Sequence, residues 1–295
     1  MTSKPNKIHV SFWGTRGSIS TPGAGTQKYG GNTPCVSVHD GHSDIILDAG
    51  TGIRDLGIEL AHRARKLRLH LFLSHTHWDH IQGLPFFAPA YVKGTRMFIY
   101  GSPNKERFLA GILSRQMDIN YFPVEMTALA AELSITEISN ARLEIGAFTV
   151  DWQEQVCHPG GSVRYGLNNG GKRIVYATDV ELDKVFASKG RMKRGKRPLA
   201  KEYSDFIRNA DLLIADGQYT RKEYPARAEW GHSSIEVLID VAGRAGGKQL
   251  AIFHHDPQHT DTVLDLLWEG YVRQAGKVNA SMNIFWAREG MTVSV

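Results

Sequence analysis

The stretch Ser74-His75-Thr76-His77-Trp78-Asp79-His80-Ile81-Gln82-Gly83-Leu84-Pro85 constrains this chain more than any other. Three histidines and an aspartate fall within six consecutive positions, directly after the apolar run Leu69-His70-Leu71-Phe72-Leu73. That run reads as a buried strand ending at Ser74. The cluster therefore lies on the loop at a strand's end, where polar groups can converge on an ion. His75 and His77 are two apart, so on an extended backbone they point the same way. Asp79 and His80 follow as the chain turns, placed to face a second ion. Imidazole and carboxylate are ligands that suit zinc in a hydrolytic site. Crowding such groups at a strand end is costly to desolvate unless a cation is there.

A chain of 295 residues at 42% hydrophobic content can bury one large core or two small ones. No linker separates its halves, which points to one α/β domain over residues 1–295. The net charge of +5 suits an anionic substrate without demanding one. Two cysteines, Cys35 and Cys157, make no disulfide framework. The polar start and the lack of a long apolar run point to a cytoplasmic protein with no membrane partner.

The first strand pattern is Ile8 to Trp13, broken by Gly14-Thr15-Arg16-Gly17-Ser18. A glycine-rich loop follows, but a strand comes after it and no lysine sits in a phosphate-loop context. Arg16 and Asn32 in this loop are candidate contacts for a substrate phosphate, against plain loop scaffolding. Cys35 to Val38 and Ile45 to Leu47 predict a hairpin around Asp40-Gly41. Ile53 to Ala64 carries helical apolar spacing, Arg96 to Tyr100 reads as a strand, and Asn104 is placed to cap a helix through Met117. Two strands are expected between Leu143 and Val156, ahead of Cys157-His158-Pro159-Gly160-Gly161. A hairpin around Asn169-Gly170 leads through Arg173 to Ala177 into Thr178-Asp179. Lys189 to Lys201 is basic and lacks apolar periodicity, so it reads as an exposed loop, with phosphate contact as its functional alternative. Ala210 to Ala215 is a buried strand ending in Asp216. Trp230-Gly231-His232-Ser233-Ser234 precedes a helix from Ile235 to Ala245, with Ser233 or Ser234 as its N-cap. The strand Leu250 to Phe253 runs into His254-His255-Asp256. A helix from Thr262 to Ala275 and a strand from Met282 to Trp286 close the pattern.

The His-x-His-x-Asp-His run resembles the signature of the metallo-β-lactamase superfamily. Gly83-Leu84-Pro85 and Gly231-His232-Ser233-Ser234 are similar to ribonuclease Z and related phosphodiesterases. Gly-Thr-Arg-Gly-Ser and Tyr-Gly-Gly-Asn-Thr resemble the N-terminal loop of a bacterial subgroup nearby. The resemblance covers roughly residues 8 to 288 and implies a four-layer αββα sandwich, of the α/β (α+β) class. It also implies a ligand set. His75, His77 and His158 would hold one zinc, and Asp79, His80 and His254 the other, with Asp179 bridging; His255 stays open as the alternative to His254. Mn²⁺ or Fe²⁺ could replace zinc. Asp48 would orient the metal loop, as a supporting group and not a ligand.

The implied activity is phosphodiester hydrolysis by metal-bound hydroxide, since a zinc pair lowers the pKa of a shared water towards about 7. His232, oriented by Asp216, would protonate the leaving alkoxide, and Asp79 completes the catalytic group. The family commonly has a glutamate where this chain has Asp216. The expected substrate is a small or cyclic nucleotide phosphodiester rather than RNA, because no glycine- and proline-rich arm for gripping transfer RNA is visible. The alternatives are a transfer RNA 3′-processing endonuclease and, from another class, a non-catalytic ligand sensor. A homodimer is expected by family analogy alone.

Overall fold

A computed structural model describes residues 7–63, 66–102, 108–138, 142–155, 157–187, 190–272 and 282–295. In chain order these form β1 (His9–Gly14), β2 (Cys35–His39), β3 (Asp44–Leu47), α1 (Ile53–Arg63), β4 (Arg68–Phe72), α2 (Trp78–Ile81), β5 (Arg96–Gly101), α3 (Leu109–Gln116) and β6 (Glu132–Glu137). There follow β7 (Arg142–Ile145), β8 (Phe148–Gln155), β9 (Ser162–Asn169), β10 (Lys172–Ala177), α4 (Leu182–Val185), α5 (Arg197–Phe206), β11 (Leu212–Asp216), α6 (Ile235–Arg244), β12 (Gln249–Phe253), α7 (Asp261–Leu267), β13 (Asn283–Trp286) and β14 (Thr292–Ser294). The expected residues Ala64, Asn104, Val156, Lys189 and Ala275 lie outside the described residues. Among the described residues no helix is long and apolar enough to cross a membrane.

The chain divides into two compact units, each built on one seven-stranded sheet. The first takes residues 1–21, 30–140 and 288–294. Its strand order is β14-β1-β2-β3-β4-β5-β6, with pairs antiparallel up to β3 and parallel beyond it. The Asp40 hairpin forms as expected, because the Asp40 carboxylate accepts the backbone N–H of both His42 and Ser43. Ile53, Leu56 and Leu60 lie on one face of α1 and are buried with Leu69, Leu71 and Ile99 of the sheet.

The second unit takes residues 22–29 and 141–287. Its order is β13-β12-β11-β10-β9-β8-β7, antiparallel from β7 to β10 and parallel from β10 to β13. It thus repeats the pattern of the first unit, an antiparallel meander changing to parallel crossovers. Ala200, Tyr203, Leu238, Ile239 and Ala242 are buried on helices α5 and α6 in one core with Val175, Leu213 and Ile252. Mixed sheets covered by helices make this an α/β protein.

Four elements differ from the sequence reading. The basic segment is not loop throughout: from Arg197 it is α5, with Pro198 in its first turn. Its apolar contacts, Ala200, Tyr203 and Ile207, begin only where the basic run ends. Helix α3 starts at Leu109, with Phe108 at its N-cap. Helix α7 begins at Asp261 and passes into a π-helical turn at Trp268–Val272. Strand β14 was not expected; it is three residues long and gains its place only by pairing with β1.

Leu238 is fully buried in the α6 core. Leu238→Ala should cost about 2–5 kcal/mol, read as a lower urea midpoint with an unchanged slope.

Candidate metal centre and proton-donor pair

Both sheets deliver their polar groups from the carboxyl ends of the parallel strands, where crossover loops leave room for a ligand. In the first unit β3 ends at Leu47 and Asp48 follows in the left-handed region, with φ 61°. A non-glycine residue held there costs about 1–3 kcal/mol and needs a compensating contact. Asp48 has three. Its carboxylate accepts Ser74 N–H at 2.7 Å, Ser74 Oγ–H at 2.8 Å and His80 Nδ1–H at 2.7 Å. All three residues are fully buried. The backbones of the two loops also cross-bond, Ala49 N to His80 O at 2.8 Å and Gly83 N to Ala49 O at 2.9 Å. A side chain at Gly83 would meet the Gly50 carbonyl, which explains glycine in this part of the run.

With Nδ1 committed to Asp48, His80 presents Nε2, 3.2 Å from Asp79 Oδ2. Asp79 is fixed in turn by the backbone N–H of Ser18, 2.8 Å from the same oxygen. His75 faces His77 and His80 with ring centroids 4.4 and 4.2 Å away. The first unit therefore gathers His75, His77, Asp79 and His80 at one place.

The second unit repeats the device. Asp179, two residues past β10, and His254, directly past β12, are both left-handed, with φ 55° and 62°. Thr178 Oγ1 donates to Asp179 Oδ2 at 2.6 Å, and Ser162 Oγ donates to the Asp179 carbonyl at 2.7 Å. Gln155 holds the loop from behind, donating to Ser162 Oγ and to the Thr178 carbonyl. His158 Nδ1 donates to the Gly231 carbonyl at 3.0 Å, leaving Nε2 3.9 Å from Asp179 Oδ1. His254 Nε2 lies 3.4 Å from Asp179 Oδ2. His255 points elsewhere, its Nε2–H donating to the Ala287 carbonyl at 2.8 Å.

His232 stands inside this group, stacked on His254 with centroids 5.0 Å apart and edge-on to His158. Its Nδ1–H donates to Asp216 Oδ2 at 2.7 Å, so the aspartate reaches despite its short side chain. Asp216 is fully buried and also accepts Gln218 N–H. The loop carrying His232 is clamped to the Asp179 loop: Ser233 Oγ donates to Val180 O and accepts from Leu182 N. Ser234 occupies the N-cap of α6, yet its hydroxyl and N–H both donate to Asp183, each at 2.7 Å. Asp183 thus does the capping that the sequence reading gave to serine. Burial raises its carboxyl pKa above the usual range.

The donors fit divalent metal ions. His80 and His158 each carry a proton on Nδ1 held by an acceptor, which orients Nε2 as a ligand atom. Within the second unit, ligand atoms of His158, Asp179 and His232, and of Asp216, His232 and His254, lie within 4.8 Å of one another. Arg16 and Asn32 are placed differently. Arg16 has no exposed surface, and its Nε donates to the Gly30 carbonyl. Asn32 donates to Glu289 Oε2 and accepts from Thr51. Both tie the glycine-rich loop together, the scaffolding role. Sequence reasoning missed Ser18 and Asp183, because a backbone contact and a distant capping acid leave no local pattern.

Gly231 has φ 89°, and an added Cβ would collide with His158 Nδ1. Gly231→Ala should displace the His158 ring and lower metal content measured by elemental analysis, while Gly170→Ala, also left-handed but open around its Cβ, should not.

The family model described as a β-lactamase superfamily domain matches residues 43–255. A ribonuclease Z of Pyrococcus horikoshii is 24% identical over 289 residues, covering 86% of this chain and 88% of the relative. A metallo-β-lactamase fold protein, YhfI, from Bacillus subtilis superposes with a TM-score of 0.67 at 19% identity, covering 98% of this chain and all of the other. The short form of human tRNase Z gives 0.64 at 17% identity, over 97% of this chain and 99% of the other.

Proposed function

Since this chain belongs to the β-lactamase superfamily, we propose that it is a metal-dependent hydrolase of phosphodiester bonds, acting as one hydrolase domain. The hydrogen bond from His232 Nδ1–H to a fully buried Asp216 carries this reading. In the proposal His75, His77 and His158 hold one ion, Asp79, His80 and His254 a second, and Asp179 serves both; zinc suits the donor set, with Mn²⁺ or Fe²⁺ as substitutes. Two such ions, when bound, supply a nucleophile at neutral pH and neutralise charge growing on the phosphoryl oxygens.

The chain's own residues do the rest. Asp216 fixes the His232 tautomer and ring plane and stabilises the imidazolium. The charged ring then gives its Nε2 proton to the departing alkoxide and keeps Nδ1–H on Asp216. A proton donor placed this way is worth roughly 10²–10⁴-fold in rate. Alkoxides are basic leaving groups and need such an acid, which favours phosphodiesters over thioesters, whose thiolates leave without one. Two cysteines that stay as free thiols fit a cytoplasmic setting.

Small nucleotide phosphodiesters are our first substrate class, because the basic segment is short and becomes helical at Arg197. The second is RNA, favoured by relatives that carry the name ribonuclease Z. Turnover of bis-p-nitrophenyl phosphate beside 3′,5′-cyclic AMP and a transfer RNA precursor separates them. Cleavage of the two small esters alone supports the first; cutting of the RNA at one position supports the second. Inertness on all three with metal bound would sink both.

His232→Ala should keep its metal and lose about 10²–10⁴-fold in kcat on an ester with an alkoxide leaving group, 3′,5′-cyclic AMP or the transfer RNA precursor, and far less on bis-p-nitrophenyl phosphate, whose phenolate leaves without protonation. An undiminished kcat on the alkoxide ester would remove His232 as the acid. Asp179→Ala should lose metal, and full occupancy by elemental analysis would remove it as a shared ligand.

A further inference from the structure

The loop between β11 and His232 carries two side chains that the reaction above does not use. Its backbone is pinned on both sides: Tyr219 N–H donates to Ser233 O, and Ile235 N–H donates to Tyr219 O. A short 3-10 turn, Tyr224–Ala226, follows. Arg227 N–H closes it onto Tyr224 O at 2.9 Å, and Trp230 N–H bonds to Arg227 O at 3.2 Å. Arg227 and Trp230 therefore project from one ordered turn next to the proton donor.

The Arg227 guanidinium lies over the face of Tyr219, 5.2 Å from the ring centroid. The Tyr219 ring meets the His232 imidazole edge-on, with centroids 5.9 Å apart. Arg227 thus stands one aromatic ring away from His232, its side chain 22% exposed. Its side-chain polar contacts among the described residues are slack. Nη2 donates to Gln258 Oε1 at 3.4 Å, and Nε is 3.9 Å from Asp256 Oδ2. A guanidinium kept only to tie loops together would close a short, two-pronged pair. This one is stacked for orientation and keeps donors to spare, since arginine has five N–H groups. Trp230 is 59% exposed, although covering an indole would be worth about 1.5–3 kcal/mol. Arg227 and Trp230 belong to one turn, joined by the Trp230 N–H to Arg227 O bond, and a guanidinium and an exposed indole are the groups that take a phosphate and a base.

We infer that Arg227 and Trp230 form a subsite for the nucleotide flanking the scissile bond, the guanidinium taking its phosphate and the indole its base. The inference rests on the phosphodiesterase reading and narrows it. A guanidinium set one ring back from His232 reaches a neighbouring phosphate rather than the reacting one, so the favoured substrate is a linear nucleotide chain carrying a second phosphate.

Binding tests this without catalysis. Diadenosine dinucleotides with an uncleavable methylphosphonate linkage, with and without a 5′-phosphate, are titrated calorimetrically into the metal-loaded protein. The 5′-phosphate should tighten binding to the wild type by about tenfold or more, the worth of a charge-assisted hydrogen-bond pair. Arg227→Gln should erase that preference, and Arg227→Lys should restore part of it. Trp230→Ala should weaken both dinucleotides equally. Thermal unfolding checks that each variant is folded. A wild type indifferent to the phosphate, or an Arg227→Gln variant that keeps the preference, overturns the subsite. Turnover of bis-p-nitrophenyl phosphate, 3′,5′-cyclic AMP and the transfer RNA precursor by the wild type is measured in parallel. A phosphate preference without turnover sinks the phosphodiesterase reading alone, and turnover without the preference sinks the subsite alone.

Discussion

A carboxylate with no access to water fixes the direction of the metal loop. Asp48 accepts from Ser74 N, Ser74 Oγ and His80 Nδ1, and each of these donors is itself buried. A buried carboxylate without such donors would be prohibitively costly, so the three bonds form together or the loop does not fold. Their common effect is on His80. With Nδ1 protonated and tethered, the ring can offer only Nε2, and the loop carrying His75, His77 and Asp79 is held to the same frame.

The left-handed turn is the second constraint, and it is used three times. Asp48, Asp179 and His254 each leave a strand with φ between 55° and 62°. In each case the strand is one of the parallel set, and the turn swings a polar side chain off the end of the sheet. The cost of that backbone is met by the side-chain hydrogen bonds of Asp48 and by the Thr178 and Ser162 bonds around Asp179. Because the two units share one pattern of strand pairing, the positions correspond. The strand where pairing changes from antiparallel to parallel carries Asp48 in one unit and Asp179 in the other.

In the second unit the His232–Asp216 pair depends on a serine clamp. Ser233 bridges Val180 O and Leu182 N, and Asp183 takes both donors of Ser234. Movement of the Asp179 loop is therefore movement of His232, and the two side chains keep their spacing. Satisfied buried networks of this kind hold one geometry because any partial opening strands a donor.

Strands, hairpins and helices α1 and α6 were legible in the sequence, because local periodicity and turn residues such as Asp40-Gly41 act within a few residues. The candidate site was legible as a spaced pattern of histidines and aspartates at strand ends from His75 to His254. Other features were not. Helix α5 hid behind basic residues because its apolar face starts only at Ala200. Strand β14 is too short to show itself and exists through its pairing with β1. Arg16 looked like a phosphate contact in its glycine-rich loop, and only packing shows it fully buried on Gly30 O. Asp183, Ser18 and the Tyr219–Arg227 stack act between segments far apart in the chain. The sequence by itself determined which candidate residues stand at the strand ends, because residue type and strand-end position are local properties. The tertiary structure alone decided which nitrogen His80, His158 and His232 present and which acceptor orients each, because those choices belong to hydrogen-bond partners that only folding brings together.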